Sequence, residues 1–138
     1  MTQEERDLLL KDLCGRLPYG VKGVEANTLC SLNSVTHFKS IVKNIEYKIE
    51  HLGFKPYLFP LSSMTEEQYE SLRESGILSN CSHSYEYVNP HIHGVSFIFK
   101  EFKTYSLELI EWLNKNHFDY RGLIPMGLAT DCTNLNIY

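Results

Sequence analysis

Three groups of residues in this chain have types and spacings that can do chemistry. The first is rich in histidine: Cys81, His83, His91 and His93 fall within one short stretch. On a strand, His91 and His93 project to the same side, as an H-x-H pair on a metal ion requires. His83, Cys81 or Asp131 would supply a third ligand. Zinc suits such a set, and a metal-dependent hydrolase is the activity it would support. Against this, Pro90 and Gly94 bracket the pair and favour a turn, and a bare H-x-H lacks the longer spacing of specific zinc motifs. The ordinary reading is a polar loop with solvent-facing histidines.

The second group is the tail motif His117-Phe118-Asp119-Tyr120-Arg121-Gly122. Asp119 can orient an imidazole, and Arg121 can grip a phosphate or carboxylate through two parallel hydrogen bonds. The third group is Arg16, Tyr19, Gly20 and Lys22, where two cations flank an aromatic ring and a glycine. Such a set can hold a nucleotide by stacking and phosphate contact. It is not a phosphate loop, because the glycine spacing and the following helix are missing. Each group also has a structural reading. Phe118 and Tyr120 would pin the tail to the core, while Arg16 and Lys22 would answer the negative end of a helix before a Pro-Tyr-Gly turn. If the tail packs back across that turn, which Phe118, Leu123 and Ile124 permit, Arg16, Tyr19, Lys22, Tyr120 and Arg121 form one anion-binding set. Nucleophile motifs are absent: there is no G-x-S-x-G, and no cysteine lies in a signature with histidine. No catalytic residue is therefore assigned.

The elements that must position these groups follow from local pattern. Thr2 and Glu5 have capping-box spacing, and Leu9, Leu10, Leu13 and Leu17 recur at three- and four-residue intervals, which predicts a helix over 3–14 ended by Gly15. Val21–Glu25 and Thr28–Val35 read as short strands about Asn27. From Ile41 to Glu50, Ile41, Ile45, Tyr47 and Ile49 alternate with mostly polar residues, the pattern of a half-buried strand. Phe54–Phe59 is extended, with Pro56 and Pro60 arguing against a central strand. Thr65 and Gln68 open a second, surface helix over Glu66–Glu74, closed by Gly76. Residues 77–94 are the least regular. Val95–Phe99 is a strand, 105–116 a third helix, and the tail a single helical turn near Leu123 followed by coil. The expectation is one α+β domain over residues 1–138: a mainly antiparallel sheet of four or five strands with three helices.

The bulk numbers set limits. A chain of 138 residues can bury a core without disulfides or metals. Its 43% apolar and 22% charged residues fit an ordinary folded domain. The net charge is −4, with no run of three basic residues, which argues against binding duplex nucleic acid. No apolar run approaches a bilayer's thickness and the N-terminus lacks a secretory pattern, so no membrane partner is expected and the cytoplasm is the expected compartment. There Cys14, Cys30, Cys81 and Cys132 should be free thiols.

Three stretches stand in order: Leu13-Cys14-Gly15-Arg16-Leu17-Pro18-Tyr19-Gly20-Val21-Lys22, Lys55-Pro56-Tyr57-Leu58-Phe59-Pro60-Leu61-Ser62-Ser63-Met64-Thr65-Glu66-Glu67, and Asp119-Tyr120-Arg121-Gly122-Leu123-Ile124. Together they resemble an uncharacterised family of short proteins from gut-bacterial genomes and their phages, over residues 8 to about 129. The family pattern often has a basic residue where this chain has Phe59, so a role resting on that charge is absent here. The resemblance implies a phage or mobile-element setting in a bacterial host, and no activity. The resulting expectation is a non-catalytic binding protein that sequesters or blocks a host protein or a small anionic, nucleotide-like ligand, with a homo-oligomer among its states. The alternatives are the zinc-dependent hydrolase on His83, His91 and His93, and a structural or assembly subunit.

Overall fold

The computed structural model describes residues 1–32, 38–80, 83–88, 96–102 and 105–138, with backbone alone for 38–41, 80, 83–88 and 96–102. The class is α+β. Among the described residues there are four α-helices, a mixed five-stranded sheet in the order β2 (Thr28–Leu32), β1 (Val21–Glu25), β3 (Lys55–Pro60), β6 (Phe118–Asp119), with β7 (Thr130–Asp131) also on β3, and a two-stranded pair of β4 (His83–Val88) and β5 (Ser96–Phe102). The chain forms two compact units interleaved along the sequence: residues 1–58 with 121–138, and residues 59–120.

The first unit opens with α1 (Gln3–Arg16). Its capping box is made: Glu5 N–H donates to Thr2 Oγ1 at 3.1 Å, and Thr2 N–H to Glu5 Oε2 at 2.7 Å. The helix does not stop at Gly15. It runs to Arg16 and continues as a 3₁₀ turn, Leu17–Tyr19, that Pro18 suits with its fixed φ. The left-handed residue that ends the run is Gly20, at φ +72°. Next comes the hairpin of β1 (Val21–Glu25) and β2 (Thr28–Leu32), in register Glu25 to Thr28. Ala26 and Asn27 have φ +47° and +65°, both positive as a two-residue type I′ turn requires.

The stretch expected as an alternating strand is instead the helix α2 (Phe38–Leu52). Ile45 and Ile49 lie four apart, one helical turn, and both are buried. Tyr47, which would have shared their face in a strand, is 55% exposed. Isoleucines at even spacing fit both periods, and fifteen residues is long for a strand but ordinary for a helix.

A second correction concerns β3 (Lys55–Pro60), which is not at an edge despite its two prolines. Lys55 and Pro56 pair with β1 (Gly23 to Pro56), and Tyr57 and Leu58 pair with β7 (Thr130–Asp131; Tyr57 to Thr130). These ladders are two residues long, so a missing proline N–H costs little pairing. The tail is accordingly not all coil: Cys132 N–H donates to the Leu58 carbonyl at 3.0 Å. The core of this unit joins Leu9, Leu13 and Leu17 to Val21, Ile45, Ile49, Phe54, Leu58 and Leu123.

Gly23 sits where β1 meets this core. A Cβ there would lie 2.4 Å from Phe54 Cζ and 2.6 Å from the Lys55 carbonyl oxygen. The ring can turn aside, but the carbonyl belongs to the paired strand. Gly23→Ala is therefore expected to cost about 1–3 kcal/mol, the range for overpacking, measured as a lower urea midpoint at unchanged m-value. An unchanged midpoint would show that β1 and β3 are not in this register.

The second unit begins with Phe59 and Pro60, which pair in parallel with β6 (Phe118–Asp119). A 3₁₀ turn, Leu61–Ser63, leads to α3 (Glu66–Glu74), whose capping box from Thr65 to Gln68 forms as its sequence predicts. Tyr69 and Leu72 are buried. The region expected to be least regular includes a 3₁₀ helix, Ile77–Asn80, and the strand β4 (His83–Val88). It pairs antiparallel with β5 (Ser96–Phe102), with a register irregularity between Ser84 and Tyr85. The helix α4 (Leu107–Lys115) is capped by Ser106 Oγ, which accepts from Leu109 N–H at 3.2 Å. Leu109 and Leu113 turn into a core with Met64, Leu78 and Phe118, on which Trp112 stacks at 5.8 Å.

Candidate functional site

The buried face of α1 holds Leu9, Asp12, Leu13 and Arg16. Two of these are charged, and both side chains are wholly buried. Their spacing of four brings them together: Arg16 Nε donates to Asp12 Oδ2 at 2.6 Å and Nη2 to Oδ1 at 3.1 Å. This two-point fork is the strong form of a charged hydrogen bond. Arg121 reaches the same carboxylate from the tail, its Nε 3.2 Å from Asp12 Oδ1. Its side chain keeps 23% of its surface. Leu123, two residues on, is fully buried in the same core, which holds the tail against α1.

The structure thus brings together Arg16 and Arg121, with Asp12 between them. It does not add Lys22. That ammonium donates to the Ile137 carbonyl at 2.8 Å and lies 5.7 Å from the centre of the Tyr138 ring. The Tyr138 hydroxyl accepts from Lys22 N–H at 3.0 Å and faces the carbonyl oxygens of Tyr57 and Lys22 at 3.0 and 3.3 Å. Burial pushes its phenol up to about 12, so it stays neutral and able to donate. Lys22 and Tyr138 form a clasp that fastens the tail to β1 and β3. Tyr19 is half-buried in the turn after α1. Tyr120 belongs to the second unit, where it packs on the core and its ring lies 5.7 Å from that of Tyr105. His117 and Asp119 are buried in that unit, and the His117 carbonyl accepts from Phe59 N–H at 2.9 Å.

Of the candidate metal ligands, Cys81, His91 and His93 lie outside the described residues, and His83 is described only as backbone in β4. Asp131 is occupied in a local turn, its Oδ1 accepting from Thr133 N–H at 2.9 Å. No group of three metal-binding side chains occurs among the described residues. Cys14, Cys30 and Cys132 are free thiols, and Cys81 lies outside the description. Burial raises all three, Cys132 to about 11 with help from the Asp131 charge, so none is poised as a thiolate at neutral pH.

Asp12, Tyr57 and Tyr138 were not singled out from the sequence. For Asp12 the signal was there: it lies three and four residues from Leu9 and Arg16, inside the stripe that Leu9 and Leu13 define. For Tyr57 and Tyr138 no local pattern points to their contact, which joins residues 81 apart.

No protein-family model, no curated protein and no solved structure matches this chain. Among the described residues, no helix is long and apolar enough to cross a membrane.

Proposed function

We propose that this chain is a non-catalytic binding protein of a phage or mobile element, acting in the host cytoplasm, that sequesters a small anionic, nucleotide-like ligand or blocks a host factor. The observation that carries the reading is Arg121. An anion is bound best by donors already fixed in place, because less freedom is lost on binding. Arg121 is anchored through Nε on a buried carboxylate, and its side chain remains partly open to solvent. Arg16 is wholly enclosed, so its part is to hold Asp12 rather than to touch a ligand. Lys22 serves the tail clasp. The ligand set expected from sequence contracts to Arg121, with Tyr19 half-exposed in the turn after α1.

The test is Arg121→Ala against Arg121→Lys, titrated with a panel of nucleotides and by capture from host lysate. Removing the guanidinium should weaken binding by about 1.5–3 kcal/mol, the worth of a hydrogen bond to a charged group. Stability without ligand should fall by no more than about 1 kcal/mol, since a partly exposed ion pair contributes little and Arg16 still holds Asp12. A large drop in melting temperature with binding intact would assign Arg121 a structural role instead.

A further inference from the structure

The outward side of α2 carries an open groove of about 450 Å³, lined by Lys43, Asn44, Tyr47, Lys48 and Leu52. That volume lies within the usual range for small-molecule sites, roughly 300–1,000 Å³. The charges of α2 are sorted around its axis. Glu50 turns to α1, accepting from Arg6 Nη1 at 2.7 Å. Glu46 lies close enough to Cys14 of α1 for its charge to help raise that thiol. The residues lining the groove include two lysines and no acid. Lys48 is tied to Glu25 by an ion pair, which holds that carboxyl below its usual range. Lys43 is the remaining cation, and among the described residues nothing is bonded to its ammonium. Beside it, one helical turn on, Tyr47 is 55% exposed, so much of its ring is open to solvent. Its ring sits 4.8 Å from that of His51, tilted by 40°, giving a broad aromatic surface next to the free charge.

We propose that this groove binds an aromatic anion of the nucleotide class, with its ring on Tyr47 and its phosphate on Lys43. Stacking is tolerant of which ring is bound, because every base has a π-face. The Asn44 amide, with one acceptor and two donors, is the group placed to read a ring edge. Leu52 is the aliphatic residue of the lining. The site is distinct from Arg121, and the two are read separately.

The experiment is a nitrogen-15 NMR titration of the full chain with adenosine monophosphate, with ribose 5-phosphate as the ringless control. Saturable shifts confined to residues 43–52, with dissociation near or below roughly 1 mM, are expected. Ribose 5-phosphate should shift them far less. Tyr47→Ala should weaken binding about tenfold, the worth of one stacked ring, and Tyr47→Phe should retain it. Lys43→Glu should weaken it by at least as much. Non-saturating shifts, equal response to ribose 5-phosphate, or unchanged affinity in Tyr47→Ala would each overturn the proposal. Shifts at residues 12–16 and 121–123 instead would support the Arg121 site and not this one. Because the wild-type titration maps the site directly, a variant that failed to fold would leave the proposal testable.

Discussion

Asp12→Ala is expected to destabilise the protein by about 3–5 kcal/mol, the cost of stranding one partner of a buried ion pair. Arg16 has no exposed surface through which water could replace the lost carboxylate. Its guanidinium cannot shed its proton to escape the cost, since arginine stays charged in proteins. A stability of about 5–15 kcal/mol is typical of a whole domain, so the variant should lose a large part of it, read as a much lower urea midpoint followed by circular dichroism. The companion variant Asp12→Leu with Arg16→Met is expected to recover most of the loss, because a well-packed apolar pair of similar volume often equals a buried ion pair. A loss under about 1 kcal/mol for Asp12→Ala would mean the pair is wet and only marginal, as exposed pairs are.

Leu13→Ala is expected to cost about 2–5 kcal/mol, the range for truncating a fully enclosed leucine. Leu13 has no exposed surface and lies in the cluster that also holds Val21, Phe54 and Leu123. The loss should appear as a lower thermal midpoint with secondary structure intact below it. A midpoint unmoved by this change would show that α1 is not docked on the sheet.

How far the sequence could be read depended on the range of the interactions. Caps lie within one helical turn, so Thr2 with Glu5 and Thr65 with Gln68 were legible. The helix 38–52 was not, because Ile41, Ile45 and Ile49 satisfy a period of two and a turn of four at once, and only packing selects between them. The placement of β3 between neighbours could not be read either. Two prolines are a local argument against a central strand, while the partners that override it come from residues 118–119 and 130–131. At the site, the apolar residues around the tail motif permit the meeting of Arg16 with Arg121 without dictating it. The carboxylate joining them is hidden in the pattern, because a charged residue on a leucine stripe normally reads as a break in it. The separate engagement of Lys22 depends on Ile137 and Tyr138, more than a hundred residues away.

The interleaving of the two units bears on how the chain is made. During synthesis, residues 59–120 emerge complete and can fold at once, since domains tend to fold as units from the N-terminal side. The first unit must wait, although its own residues 1–58 left the ribosome earlier. Its closing contacts bridge Asp12 to Arg121 and Lys22 to Tyr138, across 109 and 116 residues. Joining ends so far apart carries a loop-closure entropy that grows only slowly with length, but contacts of this range slow folding. Through that interval the leucines of α1 lack Leu123, and the strand β3 lacks β7. The nascent protein therefore passes through a stage in which its earliest-made segment is the last to be sheltered. That stage is the one at which chaperones and proteases would find it.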